Sequence, residues 1–249
     1  QDPSPVPLRH FVEHHAKQQE DHDGKHRKML EFTVDPADKL ICREKENDFK
    51  VIPLINNGPV GKKVDICIVA EGYRAEEMDK FIADCRRLSE YMFTFEPYKS
   101  RKDDFNVWVV ESVSEESGTD IPHQDVWKNT VAASNFYTFR IDRYLTAPDH
   151  KKVSQLASNA PCDALYVLVN DPKYGGGGIY NYYALTSSDH KLTPHVFIHE
   201  FGHSFAGLGD EYYEKDVAYN DMYSKDVEPW EPNITTQADF ASKWKDMMD

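Results

Sequence analysis

Two apolar spacings alternate through the middle of the chain. Val64 to Ala70 (VDICIVA) is an almost unbroken apolar run, and with Phe105 to Val113 and Ala164 to Asn170 it reads as a set of buried strands. Between the first two, Ala75 to Phe95 repeats apolar residues at three and four positions, the period of a helix with one buried face. Strands alternating with helices predict an α/β (α+β) fold, a twisted mixed sheet with helices packed on it. Residues 31–60 alternate only weakly and contain the turn Asn57-Gly58-Pro59, so 1–60 is expected to be an extension or linker ahead of a main domain over 61–249. At the far end, Ala238 to Asp249 (ADFASKWKDMMD) reads as an amphipathic helix.

One predicted helix carries chemistry. Thr193 is placed to cap it, Pro194 suits a first helical residue, and Gly207 suits the left-handed position that ends it, so the helix spans 194–206. At about 100° per residue, Phe197, Ile198, Phe201 and Phe205 fall opposite His199 and His203. Two histidines four apart share a face and can reach a single metal, and Glu200 beside them can serve as a base for the attacking water. His-Glu-x-x-His arises by chance in on the order of one such chain in a hundred; the cap signals and the buried face around it are what raise its specificity.

A catalytic zinc takes three protein ligands and keeps a position for water. The glycines at 207 and 209 allow the chain to turn back after the helix, which makes Asp210 the expected third ligand, with Glu211 beside it as the alternative. His195 lies eight residues from His203, about 12 Å along a helix, too far to share an ion with both other histidines.

With its continuation through Gly207 to Tyr212, the pattern is similar to the metzincin clan with one extra residue: Gly207 comes four positions after His203 and Asp210 seven. In that form it closely resembles the bacterial immunoglobulin-A peptidase family of zinc metallopeptidases. Val64 to Tyr73 (VDICIVAEGY), Phe105 to Val110 (FNVWVV), Glu116 to Pro122 (ESGTDIP) and Tyr174 to Gly178 (YGGGG) resemble the family's other blocks in order, over residues 64–213. The resemblance implies a metzincin-like catalytic domain and a secreted, periplasmic or cell-surface endopeptidase acting on protein or peptide substrates. It also implies Zn2+ held by His199, His203 and Asp210, with Glu200 as catalytic base; cleavage of immunoglobulin does not carry over. Relatives place a β-rich domain before the catalytic one, so 1–60 can also be its remnant. No segment after Asp210 reads with assurance as the methionine turn of metzincins, although Met222, Met247 and Met248 are available. Either the chain continues beyond Asp249 or the floor of the site is built differently.

The stretch Tyr174, Gly175, Gly176, Gly177, Gly178 just before the metal helix is a candidate substrate-binding segment. Its glycines let a peptide backbone approach, and the alternating residues after them would form an edge strand to which an extended substrate adds; the same glycines also suit a plain hairpin tip. Tyr212 and Tyr213 are candidate hydroxyl donors to the oxyanion or packing residues.

A formal charge of −14 argues against nucleic acid and anionic membranes, and no apolar run approaches membrane-spanning length. The four consecutive glycines lack the lysine and helix start of a phosphate loop. Cys42, Cys67, Cys85 and Cys162 match no zinc spacing and suit buried thiols at least as well as disulfides. His10, His14, His15, His22 and His26 in the polar start suit a solvated helix better than a second metal site. The rival function from another class is a catalytically silent zinc-fold protein that binds host or matrix glycoproteins; retention of Glu200 counts against it.

Overall fold

The computed structural model describes residues 13–20, 26–35, 38, 48–211 and 223–248, with the strands over 13–20 and 26–34 described by backbone alone. Two compact units divide the chain: 45–208, and 1–44 together with 209–249.

The unit over 45–208 is a mixed α/β layer structure built on a six-stranded sheet. β3 (Val51–Ile55), β4 (Val64–Glu71), β5 (Phe105–Val110), β6 (Ala164–Val169), β7 (Gly176–Ile179) and β8 (Tyr183–Ser187) lie in the order β3-β5-β4-β6-β8-β7. β5, β4, β6 and β8 are mutually parallel, while β3 and β7 are antiparallel edges. The central strands read as continuous apolar runs because both faces are covered. Ile66, Ile68 and Ala70 point into one core layer and Cys67 and Val69 into the other. The first layer is covered by α1 (Met78–Met92), whose Met78, Phe81, Cys85, Leu88 and Met92 form the expected apolar stripe, and by α3 (Thr193–Ala206). The second is covered by α2 (His150–Ala157) through Val153, Leu156 and Ala157.

Several expected boundaries shift for local reasons. The helix expected from Ala75 begins as a 3-10 turn over Ala75–Glu77, where the Glu77 carboxylate reaches back to accept from the Arg74 amide at 2.8 Å. The strand expected to reach Val113 stops at Val110, where the Ser112 hydroxyl turns to donate to the Ala70 carbonyl at 2.7 Å. β3 arises inside the weakly alternating stretch, and its Pro53 is tolerated because the strand is an edge. The pattern did not announce α2, although Asp149 caps it by accepting from the Lys152 amide at 3.1 Å.

At the end of β4 sits a buried carboxylate with a structural task. Glu71 is fully enclosed and accepts from the Thr130 hydroxyl (2.6 Å), the Ala132 amide (2.7 Å), and the amide and hydroxyl of Ser134 (2.8 Å each). Four donors make up for the lost hydration of the charge and pin the loop that continues to Phe136 and the 143–145 segment.

In the other unit, β1 (Glu13–Glu20) and β2 (His26–Val34) pair antiparallel. The histidine-bearing start therefore forms strands rather than the solvated helix its spacing suggested; His10 and His22 lie outside the described residues. The amphipathic helix expected over 238–249 is also absent among the described residues, where Phe240–Ser242 and Lys245–Met247 are single 3-10 turns. Side-chain bonds back to 229–232 compete with helix formation: the Lys243 ammonium donates to the Pro229 and Glu231 carbonyls, and the Trp244 indole donates to the Pro232 carbonyl at 2.8 Å. Met247 and Met248 are exposed, so neither is a buried floor residue, and Met222 lies outside the described residues.

Candidate metal centre

α3 spans Thr193–Ala206, one residue earlier than expected. Leu192 takes the cap position, and Thr193 is instead the first helical residue, its hydroxyl turned to the Ser187 carbonyl at 2.8 Å. Gly207 ends the helix with φ of 66°, the left-handed cap its sequence position implied. The buried side is narrower at its end than the wheel suggested. Phe197 and Phe201 are enclosed and Ile198 is half-buried, but Phe205 is exposed and stacks on Phe201 at 5.0 Å. Val196 joins the buried face in its place, because the helix leans on β7. Beneath Phe197, the Tyr166 ring stacks at 4.1 Å and its hydroxyl donates to the Phe197 carbonyl. Burial, and then the Glu200 carboxylate nearby, pushes that hydroxyl well above its ordinary range, so it remains a donor.

His199 and His203 converge on the opposite side. Their Nε2 atoms are 3.0 Å apart and their rings meet edge-on at 4.5 Å between centroids. Nitrogen ligands about 2.0–2.1 Å from a zinc ion sit at roughly this separation from each other. The other nitrogen of His203 is held by the Leu208 carbonyl at 2.5 Å. A carbonyl can only accept, so Nδ1 carries the proton and Nε2 presents its lone pair toward His199, the orientation a metal ligand needs. His199, Glu200 and His203 form the one group of three His, Cys, Asp or Glu residues among the described residues whose ligand atoms all lie within 4.8 Å. The chemistry and spacing of this donor set fit a divalent cation. His195 is turned elsewhere: its ring meets the Tyr91 hydroxyl at 3.1–3.2 Å and packs edge-on against Tyr91 and Phe95.

The glycine run occupies a different place from the one expected. The edge strand is made by the glycines themselves, Gly176–Ile179, while the alternating residues after them turn and form β8 inside the sheet. At two of them the lack of a side chain is demanded by the helix. A Cβ on Gly176 would come within 2.7 Å of Glu200 Oε1 and of Val196, and one on Gly178 within 2.5 Å of the Glu200 carbonyl and 2.8 Å of His203 Cβ. Gly177 faces the other side of the strand, against the Leu145 carbonyl and Leu185. Gly176 and Gly178 thus form a backbone floor directly under Glu200. The outer edge is already paired at Gly176, whose amide donates to the Arg143 carbonyl and whose carbonyl accepts from the Leu145 amide. By the two-residue period of a strand, the amide and carbonyl of Gly178 point the same way. Gly175 packs against Phe136, and Tyr174 is exposed beside His190.

Asp210 and Glu211 belong to the second unit, where Asn233 joins Gly209 and Glu211 by hydrogen bonds. Tyr212 and Tyr213 lie outside the described residues. Cys67 and Cys85 are buried free thiols and Cys162 an exposed one, while Cys42 lies outside the described residues. A hydrogen bond with Cys162 and burial push the Cys67 thiol well up, and burial does the same to Cys85, which leaves both unsuited to nucleophilic work.

Among known families, the one described as IgA Peptidase M64 matches residues 52–249, from β3 through α3 to the end of the chain. No curated protein matches the chain. No helix among the described residues is long and apolar enough to cross a membrane.

Proposed function

The chain belongs to the IgA peptidase M64 family and is a peptide hydrolase; on that premise we propose that it is a secreted, metzincin-like zinc metalloendopeptidase acting on protein substrates. The observation that carries the reading is the convergence of the His199 and His203 Nε2 atoms at 3.0 Å, with Glu200 in the same cluster. His199 and His203 would hold the ion, and Asp210, in preference to its neighbour Glu211, would supply the third ligand. A zinc ion held there would supply Lewis-acid polarisation of the scissile carbonyl and make a water more acidic, so that hydroxide becomes available near neutrality.

The protein's own groups carry the rest of the reaction. Glu200 accepts the proton of the attacking water and delivers it to the leaving nitrogen as the C–N bond breaks. The glycine floor holds the Glu200 side chain from below, and the Leu208 carbonyl keeps the His203 ring in its tautomer. An extended substrate lies along the outer edge of β7. Gly178, rather than Gly176, offers it a main-chain amide and carbonyl, because the Gly176 pair is engaged by Arg143 and Leu145.

Incubated with a complex protein mixture, the purified chain should release internal peptides, and mass spectrometry should find new α-amino ends at interior peptide bonds. Release of single terminal residues alone would make it an exopeptidase. A zinc-loaded preparation that releases no peptide would favour the binding protein for host or matrix glycoproteins.

A further inference from the structure

In the unit formed by 1–44 and 209–249, one side chain from the C-terminal segment engages the residues on both sides of Asp210. The Asn233 amide oxygen accepts from the Gly209 amide at 2.8 Å, and its Nδ2 donates to the Gly209 carbonyl and to Glu211 Oε1, also at 2.8 Å each. A side-chain amide that accepts from and donates to one residue's peptide groups reproduces the pairing of a neighbouring strand, and it fixes that residue's backbone on both sides. The third bond commits the Glu211 carboxylate to a neutral donor.

We propose that Asn233 is a positioning residue for the metal site: it sets the backbone that carries Asp210 and diverts Glu211, so that the first of the two adjacent carboxylates is the ligand. This rests on the reading of Asp210 as third ligand. The chemistry follows from what ligation requires. A carboxylate bound to an ion must be held in one direction, and groups that orient a ligand from behind typically account for about 10–100-fold in metal affinity. With Gly209 fixed on one side and Glu211 anchored on the other, the backbone of Asp210 is held at both of its neighbours. Nothing in the local sequence betrays the device, since Asn233 stands 24 residues from Gly209.

The test is zinc affinity measured by competition with a chromophoric chelator, followed by cleavage kinetics under zinc saturation. Asn233→Ala should weaken zinc binding about 10–100-fold, with kcat largely restored when zinc is supplied in excess; Glu211→Gln, which keeps an acceptor for Asn233, should stay within about threefold of wild type. Asn233→Asp puts a carboxylate against Glu211 and should be at least as damaging. Adding Glu211→Gln to it restores the donor–acceptor pair with residue 211 in the reverse direction, though not the bond to the Gly209 carbonyl, and should recover part of the loss, a rescue that a general folding defect would not show. Wild-type zinc affinity in Asn233→Ala, or no recovery in the double variant, would overturn the proposal. Asp210→Asn separates the two levels: if it binds zinc as wild type does, the ligand assignment itself is wrong, whereas loss there with no loss in Asn233→Ala rejects only the positioning role.

Discussion

Glu200→Gln is expected to lower kcat for peptide cleavage by about 10²–10⁴-fold or more while zinc content and melting temperature stay near wild type. The substitution keeps the shape of a side chain seated over Gly176 and Gly178, where Glu200 Oε1 lies so close that a Cβ on Gly176 would stand 2.7 Å from it. It removes only the capacity to take a proton from water and return it to the leaving nitrogen. Because His199 and His203 present the converging nitrogens, zinc occupancy measured by elemental analysis should not change. A Glu200→Gln enzyme that cleaves at near wild-type rate would remove Glu200 from the mechanism. One that has lost its zinc would make it a ligand rather than the base.

The second large effect is expected from a residue with no functional group. In Gly178→Val, the new Cβ would fall 2.5 Å from the Glu200 carbonyl and 2.8 Å from His203 Cβ, contacts that backbone on both sides cannot relieve by a rotamer change. α3 must lift from β7. Overpacking of this kind costs typically 1–3 kcal/mol of stability, and a displacement of about 1 Å in a catalytic group costs on the order of 10² in rate. Cleavage should therefore fall at least about 100-fold, with weaker zinc binding and a lower melting temperature. Gly177→Val is the control, since it meets the Leu145 carbonyl and Leu185 on the other face of the strand. It should lose stability and yet keep zinc affinity much closer to wild type. Equal zinc affinity and rate in Gly178→Val and wild type would show that the metal helix does not depend on this strand.

The two glycine positions also show where sequence pattern stops being informative. An unbroken apolar run is enough to locate β4, because a strand covered on both faces has no polar alternation to confuse the reading. The His199, Glu200 and His203 arrangement is equally legible, since residues at most four apart on one helix have their geometry set by the helix itself. Gly176 and Gly178 announced a close backbone approach, but not that α3 packs against them, because only tertiary packing decides that. Phe205 and Thr193 were misplaced for the same reason. A helical wheel treats the helix as if it met a flat surface, whereas α3 leans toward β7 and buries Val196 instead, and the Thr193 hydroxyl finds a carbonyl at the end of β8. At the C-terminal end, apolar spacing over 238–249 was outweighed by Lys243 and Trp244 bonding to carbonyls some twelve residues earlier. Glu71 and Asn233 carry no local signal at all, because each acts on a loop far along the chain.

The central claim, a peptidase built on one metal held by His199 and His203, is most directly tested by titrating zinc into metal-stripped protein while following cleavage of an internally quenched peptide. The rate should start near zero, rise linearly and break at one equivalent per chain, and the same titration of His203→Ala should show no break. Full cleavage by protein shown by elemental analysis to be free of metal, or a wild-type break retained in His203→Ala, would contradict it.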